Sequence, residues 1–447
     1  MAADSAVAPI LDTSVSSPEP VLRQIRRVAK ARTTPAKLRL LLVGLLVMTA
    51  VWGVVEAWTV AARASAANNI VFVSEPLTLD AQQLYRSLSD ADATAATAFL
   101  SGGLEPFPLR ERYLSDIAHA ARLLEAATAA AGNSSAKASL STLTAGLPVY
   151  TGLVETARAD NRLGYPLGAA YLRQASAFMR ATLLPAARDL YAQETGKLAA
   201  ANDEATAFPY LGVVAALVVG FSLVGSQVWL TRRTKRIINP GLLLGSLAAL
   251  AALIWLVTCV ALARGHFIAA RNQGSVPVEA LARADISALQ AHADESLTLI
   301  DRQGDDSFQQ DFLTLQKRLG PGPGTLLTAA ATAANSSPGG PAAAAAVRNA
   351  SEWFNVHRQV RALDDNGMYT LAVQLANGAD PGDSGVLFGS LDGSLTGAIG
   401  ADQFAFVNDA LLARWNLKLL EAGVIVLSIV MAGGCAWGVS SRLVEYR

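Results

Sequence analysis

Two carboxylates inside long apolar runs are the residues of this sequence best placed for unusual chemistry. Glu56 lies in the apolar run 40–62 and Glu421 in the apolar run 417–439. An ionised carboxylate costs several kcal/mol in hydrocarbon unless it is protonated or paired, so each is expected to face protein or water. One interpretation is an intramembrane coupling or proton-linked site. The alternative is helix association with snorkelling to the membrane interface, where Lys418 lies one turn from Glu421.

The other reactive side chains form no catalytic pattern. No stretch fits a nucleophile elbow, a phosphate-binding loop or a zinc motif. A bound cation at three aspartates of a Gly-rich stretch is one interpretation and solvation is the other; these are Asp380, Asp383 and Asp392. His357 precedes Arg361 by four residues on one helix face, where a ligand role competes with a packing role. The sequence therefore predicts no catalysis, no metal and no cofactor.

Four apolar runs must position these residues, and each is long enough to cross a membrane. A helix of about 20 residues spans a hydrocarbon core of roughly 30 Å. The runs lie at 40–62, 210–230, 242–263 and 417–439. We therefore expect four transmembrane helices, the first of them an uncleaved signal anchor; the alternative is cleavage at a signal-peptidase site within 61–66.

Basic residues gather on one side of these runs, although the formal net charge of the chain is zero. Residues 1–39 and the loop 231–241 each carry a net charge of +4, whereas 63–209 carries −2 and 264–416 carries −6. By the positive-inside rule, the first two segments and the tail 440–447 are cytoplasmic and the large segments extracytoplasmic. We interpret 1–39 as disordered. The basic residues are explained by this topology and by anionic lipid headgroups, and no nucleic-acid partner is expected.

Two stretches of the chain align without a gap at an offset of 203 residues, 157–173 and 360–376. A large aromatic residue precedes the matched arginine by eight positions in each stretch. The matched pairs are Arg158 and Arg361, Gly164 and Gly367, and the aromatics Tyr150 and Trp353. This pattern predicts an internal duplication.

Each copy shows helical rather than strand periodicity. One stripe of the first copy consists of Tyr113, Ile117, Ala120 and Leu124. Breaks at 101–103, Gly132 and 164–166 divide that copy into four helices, the first continuing from a membrane helix and the last running into the next. In the second copy, Gly320–Gly324 interrupts the second helix and 377–397 separates the third from the fourth. The fold predicted is an all-α membrane protein with two tandem antiparallel four-helix bundles, 63–209 and 264–416.

A membrane helix, a four-helix bundle and a second membrane helix are the plan of bacterial chemoreceptor and sensor-kinase input domains. With this layout and the segments TGLVETARADNRLG (151–164) and VRALDDNG (360–367), the chain resembles the GlnX-type family of actinobacterial membrane proteins. The resemblance implies a non-enzymatic sensor whose partners are an amino-acid-binding lipoprotein outside the cell and a soluble serine/threonine kinase inside. It also implies that the two fused units form a pseudo-dimer within one chain.

The resemblance also implies a ligand site, because chemoreceptor bundles bind amino-acid carboxylates with arginines. Arg158 and Arg361 are the duplicated candidates, with Arg86 behind them. The alternative is that these arginines stabilise helix C-termini near Gly164 and Gly367.

Two other functions of the protein stay open, a membrane subunit of a transport complex and a structural protein of the cell envelope. Because the cytoplasmic parts are too small for an output domain, signalling requires a separate partner.

Overall fold

A computed structural model describes residues 34–131, 135–234, 239–301 and 306–444 of the chain. Most of the segment 1–39, interpreted above as disordered, lies outside the described residues. So do Lys235 and Arg236 of the basic loop and residues 445–447 of the tail. The described residues are helical with short connections, so the prediction of an all-α chain is confirmed.

The chain forms fourteen helices within the described residues. The first seven are α1 (Thr34–Asn69), α2 (Glu75–Leu100), α3 (Phe107–Ala131), α4 (Lys137–Arg162), α5 (Leu167–Phe178), α6 (Leu184–Thr206) and α7 (Tyr210–Thr234). The others are α8 (Pro240–Ala270), α9 (Val276–Ile300), α10 (Ser307–Leu319), α11 (Leu326–Ala333), α12 (Gly340–Asp365), α13 (Tyr369–Asn377) and α14 (Ser384–Val444). Short π-helical turns precede α2, α6 and α9, at Ile70–Ser74, Met179–Leu183 and Arg271–Ser275.

The chain divides into two compact units. The apolar unit comprises Met1–Ala61, Pro209–Cys259 and Leu419–Arg447. The helical unit comprises a first helical segment, Ala62–Phe208, and a second helical segment, Val260–Lys418. Four stretches of the described chain are long and apolar enough to cross a membrane, and their apolar runs lie in α1, α7, α8 and α14. The chain is therefore a multi-pass membrane protein.

Glycines allow α8 and α14 to approach closely in the apolar unit. A Cβ atom at Gly241 would lie 2.3 Å from the backbone nitrogen of Gly438, and one at Gly434 would lie 2.8 Å from the backbone nitrogen of Gly245. Each helix thus presents two glycines four residues apart, the spacing that lets membrane helices pack backbone against backbone. Asn239 stabilises this contact by donating a hydrogen bond to the carbonyl oxygen of Gly438 over 2.7 Å.

Each helical segment is built around an apolar core. In the first, residues of α2 to α6 pack together, among them Leu84, Leu88, Tyr113, Tyr150, Leu172 and Leu190. In the second, residues of α9 to α12 and α14 do so, among them Leu281, Leu289, Phe312, Leu327, Trp353 and Leu391. Burial of these side chains is the main stabilising contribution, at roughly 1.5–3 kcal/mol for each large apolar residue.

The matched glycines end α4 and α12 in the same way. Gly164 has φ +71° and Gly367 has φ +75°, a region of backbone conformation that favours glycine. In each case the residue after the glycine donates a hydrogen bond to a carbonyl oxygen five residues earlier: Tyr165 to Asp160, and Met368 to Leu363. This is the Schellman arrangement of a helix C-terminus.

Two expected boundaries differ from the structure. The interruption predicted over 377–397 is wrong except at residues 378–383, because α13 ends at Asn377 and α14 begins at Ser384. The glycines of this stretch disfavour a helix by about 1 kcal/mol each, but Phe388, Leu391 and Leu395 are buried in the core and outweigh that cost. The last helix of the first segment does not run into the next, because it ends at Thr206 and Ala207 leaves the helical backbone region with ψ 141°.

Candidate functional site

The two helical segments each contain a buried carboxylate held by a large aromatic residue. Tyr150 donates a hydrogen bond to Asp92 over 3.3 Å, and Trp353 donates one to Glu295 over 3.2 Å. Donor and acceptor are 58 residues apart in both cases. A serine completes each site, with Ser176 donating to Asp92 over 2.7 Å and Ser384 donating to Glu295 over 2.8 Å.

The two carboxylates have opposite electrostatic environments. Burial raises the pKa of Glu295, but the hydrogen bond with His357 and the nearby ring of His292 outweigh burial and hold the pKa of this carboxyl at about 2. The ring of His357 lies 2.9 Å from Glu295 and stacks on Phe312. The pKa of Asp92 is raised by burial, against the charge of Arg180 and the bonds from Ser176 and Tyr150. Glu295 is therefore a fixed anion.

Arg180 links the first carboxylate site to the second helical segment. Its guanidinium forms an ion pair with Asp294, which is fully buried in α9, and its Nε lies 4.0 Å from Asp92. Burial raises the pKa of Asp294 to about 7, against the lowering effect of Arg180. One arginine thus contacts a buried acid in each segment.

Arg86 is the centre of a second charged cluster between the segments. It donates a hydrogen bond over 2.9 Å to Asp285 of α9, and another over 2.5 Å to Asp392 of α14. Asp90, one turn along α2, lies 3.6 Å from the same guanidinium. Arg112 of α3 contacts Asp90 over 2.9 Å and Asp392 over 3.4 Å. We call these five residues and Asp116 the Arg86 cluster.

The Arg86 cluster contains more acids than bases, since its four aspartates face two arginines. Burial, together with the charges of Asp392 and Asp90, raises the pKa of Asp285 to about 7 despite the lowering effect of Arg86. Burial and the charge of Asp90 likewise raise the pKa of Asp116 to about 7. The cluster can therefore take up or release protons near neutral pH.

The arginines expected to bind a ligand are all paired with carboxylates in this structure. Arg158 is buried, donates hydrogen bonds to Glu105 over 2.9 Å and to Glu155 over 2.8 Å, and covers the ring of Tyr113 at 4.1 Å. Arg361 pairs within its own helix with two acids of the last turns, Asp364 and Asp365. Arg86 lies in the cluster described above. The structure does not bring these three arginines together, and their role in ligand binding stays a prediction.

The intramembrane carboxylates lie in different surroundings. Glu56 is fully buried and accepts a hydrogen bond from Thr59 over 3.4 Å. It packs against α7, because a Cβ atom at Gly212 would lie 2.3 Å from its Oε1. Glu421 is on the exposed side of α14. A coupling role for the two residues stays a prediction.

The aspartates considered for a cation do not form one site. Asp392 is part of α14 and pairs with Arg86 and Arg112, whereas Asp383 accepts a hydrogen bond from the backbone N–H of Asp380. No group of acidic, His or Cys side chains suited to a metal occurs among the residues that the structure describes. Asp392 was expected in a solvated loop, and that expectation is wrong because the helix begins eight residues earlier.

The buried acids Asp92, Asp294 and Glu295 were not predicted from the sequence. A signal for two of them was present, because Asp92 and Glu295 are separated by the same 203 residues as Tyr150 and Trp353. The ion pair between Arg180 and Asp294 carries no comparable signal. It joins residues that are far apart in the chain, and the positions 203 residues away from them, Ala91 and Asp383, hold different residue types.

The first helical segment is similar to a known family. Residues 66–203 match the model of the actinobacterial sensor domain. No significant match exists among the curated proteins or the solved structures. The fold and the match together define an α-helical, multi-pass membrane protein whose first helical segment is similar to a sensor domain, and they point to a signalling role.

Proposed function

We propose that the protein is a transmembrane sensor whose two helical segments lie outside the cytoplasm and whose signal passes to a separate cytoplasmic partner. The match of residues 66–203 to a sensor domain carries this proposal. It is supported by the excess of basic residues in 1–39 and 231–241, which favours a cytoplasmic location for both. An amino-acid-loaded binding lipoprotein and a serine/threonine kinase are the partners that this proposal includes.

The signal in this proposal is a change in how the two helical segments pack. Their interface contains buried charges, with Arg86 against Asp285 and Arg180 against Asp294. Buried ion pairs tolerate only arrangements that keep each charge partnered, so such an interface favours a few discrete packings. A partner that binds one packing more tightly shifts the population towards it. By their residue bounds, α1 and α14 belong to both units and provide a continuous path to the apolar unit.

The topology is tested by labelling cysteines in intact cells. Cys259 and Cys435 are first replaced by alanine, and single cysteines are introduced at the exposed residues Tyr165 and Met368. A membrane-impermeant maleimide should label both without permeabilisation. A cysteine at Arg232 serves as the matched control and should react only after permeabilisation. The reverse pattern would contradict the proposal.

The coupling is tested by a disulfide within the apolar unit. A Cβ atom at Gly53 of α1 would lie 3.7 Å from Cβ of Ser428 in α14, within the range of about 3.5–4.5 Å for a disulfide. Gly53→Cys with Ser428→Cys, in the background without native cysteines, should therefore form a crosslink. Adding Arg86→Met, a substitution at a residue of the helical unit, should change the rate of crosslinking in the folded protein. An unchanged rate would contradict coupling through α1 and α14.

A transport function predicts a different result for the protein with the same two cysteines. A transport subunit would move a substrate across reconstituted vesicles, and crosslinking Gly53→Cys to Ser428→Cys would alter the flux. The sensor proposal expects no flux. It expects instead that deleting the gene changes phosphorylation of a cytoplasmic kinase substrate.

A further inference from the structure

A cavity of ≈ 140 Å³ lies within the helical unit, between the first and second helical segments. Its wall is formed by α2 and α6 of the first segment and by α9, the preceding π-helical turn and α14 of the second. The apolar lining includes Leu79, Leu198, Val276, Val278 and Phe406. The residues that line the cavity do not belong to the Arg86 cluster or to the sites around Asp92 and Glu295.

Three polar side chains that line this cavity have no hydrogen-bond or ion-pair partner among the residues that the structure describes. Gln82 and Asn202 are 3% and 8% exposed, yet neither side-chain amide has a hydrogen bond among the residues that the structure describes. Amide groups on the wall of a cavity are normally satisfied by protein, water or a ligand. Glu75 also lines the cavity, and within the described part of the chain its carboxylate has neither an ion pair nor a hydrogen bond.

The charge balance of the cavity depends on Glu75. The other acid of the lining, Glu279, is paired with Arg283, and the lining base Arg271 lies 3.6 Å from Asp203. Burial, reinforced by the charge of Asp80, raises the pKa of Glu75 to about 7. Such a shift is what a carboxylate without a cation shows. The cavity therefore presents one uncompensated acid, two free amides and an apolar wall.

We propose that this cavity binds a small organic cation, a primary amine with a short apolar body, whose ammonium group pairs with Glu75 and donates its other hydrogen bonds to Gln82 and Asn202. The size fits, because an apolar cavity of about 150 Å³ holds one benzene molecule. An ammonium group has three donors and supplies the charge that Glu75 lacks. The amide oxygens of Gln82 and Asn202 accept the remaining donors.

The ligand class is tested with three probes of one size, n-butylamine, n-butanol and butyrate. The full chain is placed in nanodiscs of zwitterionic lipid, and binding is measured by titration with ligand-observed NMR. The amine should bind about tenfold or more tightly than the alcohol, since a charge-assisted hydrogen bond is worth that ratio. Butyrate should bind most weakly. Equal affinity for amine and alcohol, or tighter binding of butyrate, would overturn the proposal.

Two variants connect the binding to the cavity. Glu75→Gln keeps the side-chain volume and removes the charge, so it should lower the affinity for the amine about tenfold and leave the affinity for the alcohol unchanged. Gln82→Leu should lower the affinity for the amine about two- to tenfold, because one hydrogen bond is lost. Glu204→Gln, an exposed acid at the end of α6, is the matched control and should bind like the unaltered chain. Unchanged amine affinity in Glu75→Gln would overturn the assignment, and the thermal midpoint of each variant verifies folding.

The biological role of this site rests on the proposed sensor function, but its test does not. If the amine binds but the cysteine labelling shows the reverse topology, the amine site stands and the sensor proposal is rejected. If the labelling and the crosslinking give the expected results but the amine does not bind, only the amine site is rejected.

Discussion

Arg86 of the first helical segment donates a hydrogen bond to Asp285 of the second over 2.9 Å, in a site where Asp285 is only 1% exposed. The pair joins residues 199 positions apart in the chain. Buried charges of this kind add little net stability when paired, but they are costly when one partner is removed. The pair therefore determines how α2 and α9 pack against each other, and it adds little to the free energy of unfolding.

We predict that Arg86→Met destabilises the protein by about 3–5 kcal/mol, because Asp285 and Asp392 are left without their main counter-charge. The free energy of unfolding of the full chain in detergent measures this loss. Arg188→Met is the matched control, since Arg188 is exposed and a surface pair contributes about 0–1 kcal/mol. Equal losses in the two variants would contradict the account of the Arg86 cluster.

Stability should decrease between pH 5 and pH 8. Asp285, Asp116 and Asp294 have pKa values of about 7 in the folded chain, against 3.8 for an ordinary aspartate. Between these values the folded state binds more protons than the unfolded state, so the free energy of unfolding falls as pH rises and the loss is complete above about 7. Thermal midpoints at a fixed scan rate should therefore be higher at pH 5 than at pH 8.

Asp285→Asn should reduce this dependence, because the amide does not titrate. Asp189→Asn is the control on an exposed acid and should keep the full slope. Glu295 acts in the opposite direction, since its pKa of about 2 is below the ordinary 4.5. Its contribution is present above about pH 4.5 and is lost as pH falls towards 2. A midpoint that rises steadily from pH 5 to pH 8 would contradict these assignments.

The sequence predicted the elements of this fold better than their contacts. Apolar runs and helical periodicity identified the membrane segments and the helices, because both depend on residues close together in the chain. The positions of Gly164 and Gly367 at helix ends were also predictable, since a left-handed residue after a helix favours glycine. By contrast, the start of α14 was predicted too late. Local glycine content disfavoured a helix that burial of Phe388 and Leu391 stabilises.

The polar sites could be predicted only in part, because a charged residue does not indicate its partner. Arg158 was a candidate for ligand binding, but its actual neighbours include Glu105, which is 53 residues away. The cavity beside Glu75 depends on four separate parts of the chain meeting with their amides unpaired. No pattern of spacing encodes such a void.

The two aromatic–carboxylate sites predict parallel effects of removing one hydrogen bond. Tyr150→Phe keeps the buried ring and removes the donor to Asp92, which should cost about 1–3 kcal/mol because the carboxylate is charged or deeply buried. Trp353→Phe should cost more, since it also loses ring volume in the core. Tyr165→Phe, at an exposed residue, is the control and should change the free energy of unfolding by less than about 0.5 kcal/mol. If Tyr150→Phe leaves the free energy of unfolding unchanged, the hydrogen bond to Asp92 contributes nothing to stability.

The contact between α8 and α14 predicts a strong difference between neighbouring glycines. A methyl group at Gly434 would lie 2.8 Å from backbone atoms of α8, whereas one at Gly433 would meet nothing within 4 Å. Gly434→Ala should therefore force the two helices apart and lower the thermal midpoint. Gly433→Ala should leave the midpoint unchanged or raise it, because alanine favours a helix by about 1 kcal/mol over glycine. Similar midpoints for the two variants in nanodiscs would mean that backbone contact between these helices does not determine their packing.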